Sequence, residues 1–283
     1  MRKIIGTVLG LIFFSSVVFA GQVENAIKKL QKKETQQEAI KEIEKIGRPA
    51  IPQLRQLAKD KKNEQNARVS AIILLGKMKA EESVIDLENL LEKDEDKFCR
   101  EASAISLGNL SDKKAIPKLK QALKDESGNV RMRAVWALAK MGDKSGKQLA
   151  LDTIKDKDVT AQLLSVEALE VIGDKDAIPE LKKNLDSKNV WAKIHSKLAI
   201  KRLEIQGLSE TEKLDFLKET LKDEQFEVNQ WSATELGKIG TPEAITILKE
   251  TAKDTKVAGS YSAGKILMRL VEQGKITKEE LQK

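Results

Sequence analysis

A unit of about 31 residues recurs eight times along this chain, and a chain built that way has few ways to bury its apolar residues. One apolar anchor marks each copy: Ile43, Leu75, Leu107, Leu138, Leu169, Ile200, Leu236 and Leu267. A small residue stands four positions before each anchor: Ala39, Ala71, Ser103, Ala134, Ser165, Ser196, Ser232 and Ala263. A larger apolar residue follows three positions after it, from Ile46 and Met78 to Ile239 and Leu270. Those offsets share one face of a helix, so each copy opens with an amphipathic helix. A single copy cannot cover that face alone. Stacking against its neighbours does, which predicts an all-α solenoid, a right-handed superhelix of about eight helix pairs.

The local chemistry divides each copy into two antiparallel helices. Gly47, Gly142, Gly173 and Gly240 follow the larger residue, where a helix ends best in a left-handed conformation. Asp143, Asp174 and Thr241 come next as N-caps of a second helix, with Pro242 in its first turn. Apolar sets such as Ala115, Ile116, Leu119 and Leu123, or Ala177, Ile178, Leu181 and Leu185, form the buried face of that helix. One step, from Ile200 to Leu236, is 36 residues rather than 31 or 32. Gly207 and the capping box Ser209…Glu212 absorb the difference by delaying the second helix. Thr277…Glu280 repeats the device near the C-terminus.

These stretches resemble the HEAT-repeat family, in particular the short form found in phycobilisome-lyase-like proteins. Residues 166–181 (VEALEVIGDKDAIPEL) and 102–119 carry the resemblance, and Arg68, Arg100 and Arg131 match the family's basic residue early in the first helix. The resemblance spans roughly residues 34–270 and implies the solenoid fold. For function it implies only a range, because the family includes adaptors, lyases and nucleic-acid binders.

The N-terminus reads as a targeting segment. Arg2 and Lys3 precede an apolar run from Ile4 to Phe19, and Val18-Phe19-Ala20 supplies the small residues of a cleavage site. The expected division is a signal peptide over 1–20, a short covering helix over 21–33 carrying Val23, Ala26, Ile27 and Leu30, and the repeats over 34–283. The expected destination is the periplasm or the exterior. The formal charge is +7, and Arg2 and Lys3 account for two of it, so the repeats carry a mild excess of +5 on a Lys/Glu-rich surface. Cys99 is the sole cysteine, which excludes an intrachain disulfide.

Two columns are candidate binding surfaces. Six and two residues before the anchors, Val69, Ile73, Ile105, Met132, Trp136, Leu163, Ile194 and Leu198 form an apolar stripe away from the anchor face. Exposed, they would make a surface for another protein or for a second copy, with Trp136 as its centre. Along the second helices, Arg55, Lys120, Lys182, Lys218 and Lys249 form a basic column, a weaker candidate for polyanions; nucleic acid is the least expected of these. His195 is the only histidine, and no spacing supplies it with metal-ligand or nucleophile partners, so neither a metal nor a cofactor is expected. The iron-binding hydroxylase branch of the family needs several His–Glu pairs. Asn109-Leu110-Ser111 is formally a glycosylation sequon at a helix end. The expectation is an exported, non-enzymatic protein-binding scaffold; the alternatives are a lyase-like cofactor handler, which the resemblance implies, and a polyanion binder.

Overall fold

The structure, a computed structural model, describes residues 21–282; the expected signal peptide lies outside the described residues. Helix α1 covers 21–30. Eight helix pairs follow among the described residues, with no strand between them. They are α2 (Gln36–Ile46) with α3 (Ile51–Lys59), α4 (Gln65–Lys77) with α5 (Val84–Lys93), α6 (Lys97–Leu110) with α7 (Ile116–Ala122), and α8 (Gly128–Lys140) with α9 (Lys147–Thr153). Then come α10 (Val159–Ile172) with α11 (Ile178–Lys183), α12 (Val190–Glu204) with α13 (Glu210–Thr220), α14 (Phe226–Ile239) with α15 (Pro242–Lys253), and α16 (Ser260–Glu272) with α17 (Lys278–Gln282). Sequence reading treats 34–283 as one array; the described residues group into two compact units, one ending at Thr153 and one beginning at Ile154, four pairs in each. The fold is an all-α solenoid of paired helices.

The anchors do what their spacing requires. Ile43, Leu75, Leu107 and Leu138 in the first unit, and Leu169 and Leu236 in the second, are fully buried, as are the small residues four positions earlier. Within each unit the first helices pack on one another in series, α4 on α6 and α6 on α8, then α10 on α12, α12 on α14 and α14 on α16. Close approach depends on small residues one position after the anchor. A Cβ on Gly76 would stand 2.7 Å from Ser106, and one on Gly237 would stand 2.5 Å from Ile266.

The turns follow their local chemistry. Gly47, Gly142, Gly173 and Gly240 all have positive φ, and Lys79 and Ser111 adopt the same left-handed conformation at the same repeat position. Asp174 and Thr241 accept backbone N–H groups at the entry to the second helices. Both capping boxes form: Ser209 with Glu212, and Thr277 with Glu280.

Seven residues before the anchor sits a donor that ties three helices together. Arg68 on α4 donates through Nε to the Ala58 carbonyl at the end of α3 (3.0 Å), and its Nη groups reach the buried Asp94 carboxylate at the end of α5. Arg100 on α6 repeats this, with the Asp94 carbonyl at 2.9 Å and Asp125 at 2.8 Å. Arg131 on α8 donates to the Asp125 carbonyl at 2.8 Å. In the second unit Gln162 takes the slot, donating to the Ile154 carbonyl (2.8 Å) and to Asn184 Oδ1 (3.0 Å). Asn229 does the same toward the Asp223 carbonyl, at 3.0 Å. Each donor satisfies a carbonyl that its helix leaves unpaired at the C-terminus.

Candidate protein-binding edge

The apolar stripe expected on an outer face is not exposed. Met132 is fully buried and Ile194 nearly so, while Val69, Ile73, Ile105, Trp136, Leu163 and Leu198 are half-buried. The physical reason is the close approach of successive first helices. Because Gly108 offers no side chain, the preceding helix leaves a trough, and a Cβ there would stand 2.7 Å from Cζ3 of Trp136. Trp136, Val69 and Ile73 accordingly pack against the core of the first unit, and Lys140 covers the Trp136 ring at 5.5 Å from its centroid. These residues spend much of their apolar surface within the stack rather than presenting it whole to solvent.

The basic column is equally committed, in most of its members, to contacts between pairs. Arg55 meets Asp86 at 2.6 Å, Lys120 meets Asp143 at 2.8 Å, Lys218 reaches Glu250 at 3.5 Å, and Lys249 donates to the Glu280 carbonyl. The hydrogen bond from Lys120, with a smaller one from Ser145, holds the Asp143 carboxyl down at about 2. Lys182 stands exposed with no such neighbour described, and most of the column's charge is already opposed by acids of the next pair.

The remaining candidates are dispersed. His195 is exposed on α12, and no group of three or more His, Cys, Asp and Glu side chains positioned to hold a metal occurs among the described residues. Cys99 is fully buried on α6, and burial pushes its thiol up to about 11, so it packs as a small hydrophobe. A shallow cleft between α1 and α2, about 390 Å³, is lined by Gln22, Asn25, Glu42, Lys45 and Ile46, a set without convergent acid, base and nucleophile.

Exposed apolar surface gathers elsewhere, at the leading ends of the first helices in the second unit. Val159 opens α10, Val190 and Trp191 open α12, Phe226 opens α14, and Tyr261 is the second residue of α16. All are exposed, Val190 at 64%, Trp191 at 58% and Tyr261 at 68%. The short turns reverse the chain twice per copy, so the first helices run parallel and their starts line one edge. The Phe226 and Tyr261 rings already touch, with centroids 6.3 Å apart. In the first unit the same two positions hold Gln65-Asn66, Lys97-Phe98 and Gly128-Asn129. The fold therefore accepts polar residues there, and packing does not explain the apolar ones. Sequence reading passed over this edge because it lies before the anchor-centred columns; reading the residue after each N-cap across all copies would have found it.

Against known proteins, the chain is similar in fold to a chain from the complex of CpcE and CpcF of phycocyanin lyase from Nostoc sp. PCC7120, at 21% identity and TM-score 0.51, over 82% of this chain and 91% of that one. It is similar also to YibA of Escherichia coli, at 16% identity and TM-score 0.52, over 90% and 96%. Both likenesses concern the fold alone. No curated protein matches the chain at a significant level. The family profile described as HEAT repeats matches residues 23–108, 100–162, 116–201 and 195–260, so nearly every helix pair falls within a match. The chain belongs to the HEAT-repeat family.

Proposed function

We propose that this protein is an exported, non-enzymatic scaffold that holds another protein on the leading edge of its second unit. The observation that carries the reading is the difference between equivalent edges: Val159, Val190, Trp191, Phe226 and Tyr261 in one unit against Gln65, Asn66, Lys97, Gly128 and Asn129 in the other, where Phe98 is the one exposed apolar residue at these positions. Exposed apolar residues scattered singly are ordinary, but here they recur at one position in four successive first helices, and such clustering favours an interaction site. Trp and Tyr also supply large contact area at small entropic cost. The two strongly shifted groups support a structural reading, since Asp143 is held by Lys120 across neighbouring pairs and Cys99 is simply buried. Export rests on the Arg2-Lys3 start, the apolar run and the Val18-Phe19-Ala20 site.

The test is co-purification after mild crosslinking in the native compartment. A partner retained by wild type and by a first-unit control such as Gln65→Ser, but released by Trp191→Ser with Tyr261→Ser, is the expected result. Equal retention by all three sinks the edge as the binding surface. Intact mass beginning at Gly21 is expected of the exported protein; a cell-internal, uncleaved product overturns export.

A further inference from the structure

Resting on that reading of the edge, we infer that its occupant is a second copy of this chain, paired about a two-fold axis that passes between α12 and α14. Area is the first reason. The five side chains expose on the order of 500 Å² of apolar surface, taking roughly 150–250 Å² for a whole aromatic residue. A standard interface needs about 800 Å² from each partner, and the polar residues flanking the row supply the difference. The patch is thus large for a monomer and close to what one side of a stable dimer uses.

Charge is the second reason, and it favours self-pairing over a foreign partner. Beside Trp191, the α12 end carries Lys188 and Lys193 against one Asp186. Beside Phe226, the α14 end carries Glu224 and Glu227, while Asp223 is held by Lys197 at 2.6 Å and Lys222 by Glu219 at 2.7 Å. Neighbouring ends of one edge therefore have opposite signs. An isologous contact lays α12 of one copy over α14 of the other, so Lys188 faces Glu224 and Trp191 faces Phe226, twice over. The outer ends, α10 with Val159 and α16 with Tyr261, then also meet, and their loops carry Lys155 and Lys157 with Asp156 and Asp158, and Lys256 with Asp254, near neutrality.

Sedimentation equilibrium of the full chain tests this. The wild type is expected to be a dimer, and Trp191→Ser with Phe226→Ser is expected to weaken it at least tenfold. These side chains are exposed, so the variants keep wild-type circular dichroism. Lys188→Glu and Glu224→Lys are each expected to weaken the dimer, whereas an equimolar mixture of the two variants associates, because every facing pair is again opposite. A wild-type monomer at all concentrations overturns the inference, as does a dimer indifferent to the edge variants or a mixture that stays monomeric. A monomer whose edge variants release a different protein overturns only the second copy and leaves the binding edge standing. A monomer captured by anionic vesicles through the same residues overturns both in favour of a lipid surface.

Discussion

The two units solve the same packing problem with different chemistry. In three of the first unit's four copies the slot seven residues before the anchor holds an arginine, Arg68, Arg100 or Arg131; Asp94 and Asp125 complete ionic staples with the first two, and Arg131 donates to the Asp125 carbonyl. In the second, Gln162 and Asn229 reach the corresponding carbonyls, and Gln162 finds the neutral Asn184 where the first unit has a carboxylate. What the position needs is a donor long enough to satisfy a helix-end carbonyl and touch the next pair. Charge is optional there. The cost of a charge, however, is that neither member of a buried pair can be removed alone.

Breaking that comparison should give the largest effect. Arg68→Ala strands the buried Asp94 carboxylate and is expected to cost about 3–5 kcal/mol, read by urea denaturation. Gln162→Ala, at the matching place, removes neutral hydrogen bonds and should cost about 1–3 kcal/mol. Arg68→Gln combined with Asp94→Asn copies the second unit's solution into the first. It should recover most of the loss; a double variant as unstable as Arg68→Ala would show that the first unit needs its charges.

Anchor truncation asks whether the cores differ as the staples do. Leu138→Ala and Leu169→Ala sit at one repeat position in the two units, both fully buried, and each is expected to cost about 2–5 kcal/mol. Similar costs would confine the difference between units to polar chemistry. Smaller still is the left-handed position four residues after the anchor, which is Ser111 in the first unit and Gly173 in the second. Ser111→Gly should gain up to about 1 kcal/mol and Gly173→Ser lose a similar amount, measured as opposite shifts of Tm.

The smallest effect is the acid limb. The Asp143 carboxyl lies below its ordinary 3.8 at about 2, chiefly through the hydrogen bond from Lys120. A carboxylate depressed in the folded state lends stability above about pH 4 and loses it as pH falls toward 2. Asp143→Asn should flatten the stability curve of the first unit within that window and leave it unchanged at neutral pH relative to its own plateau. An unaltered slope would mean that solvent screens the pair completely.

Much of this architecture is legible in the sequence because its determinants are local. A 3.6-residue period, glycines that must adopt positive φ, and Ser209…Glu212 act within a turn or two of helix, and the structure places each where its chemistry demands. The partial burial of the stripe through Trp136 is not legible, because its exposure depends on something nonlocal, the trough that Gly108 opens on the preceding helix. The same holds for Arg55, Lys120 and Lys218, whose acidic partners lie about one repeat away, at Asp86, Asp143 and Glu250. Faces of a single helix can be read from one copy; what covers a face belongs to the copy beside it.

The sealed position of Cys99 has a consequence for the life of the molecule. Oxidants, electrophiles and other thiols reach that sulfur only after α6 has left its place, so the thiol chemistry of the native protein is silent. A modified Cys99 thiol is then the trace of an earlier opening of α6, and the fraction of molecules carrying one reports how often that opening has occurred.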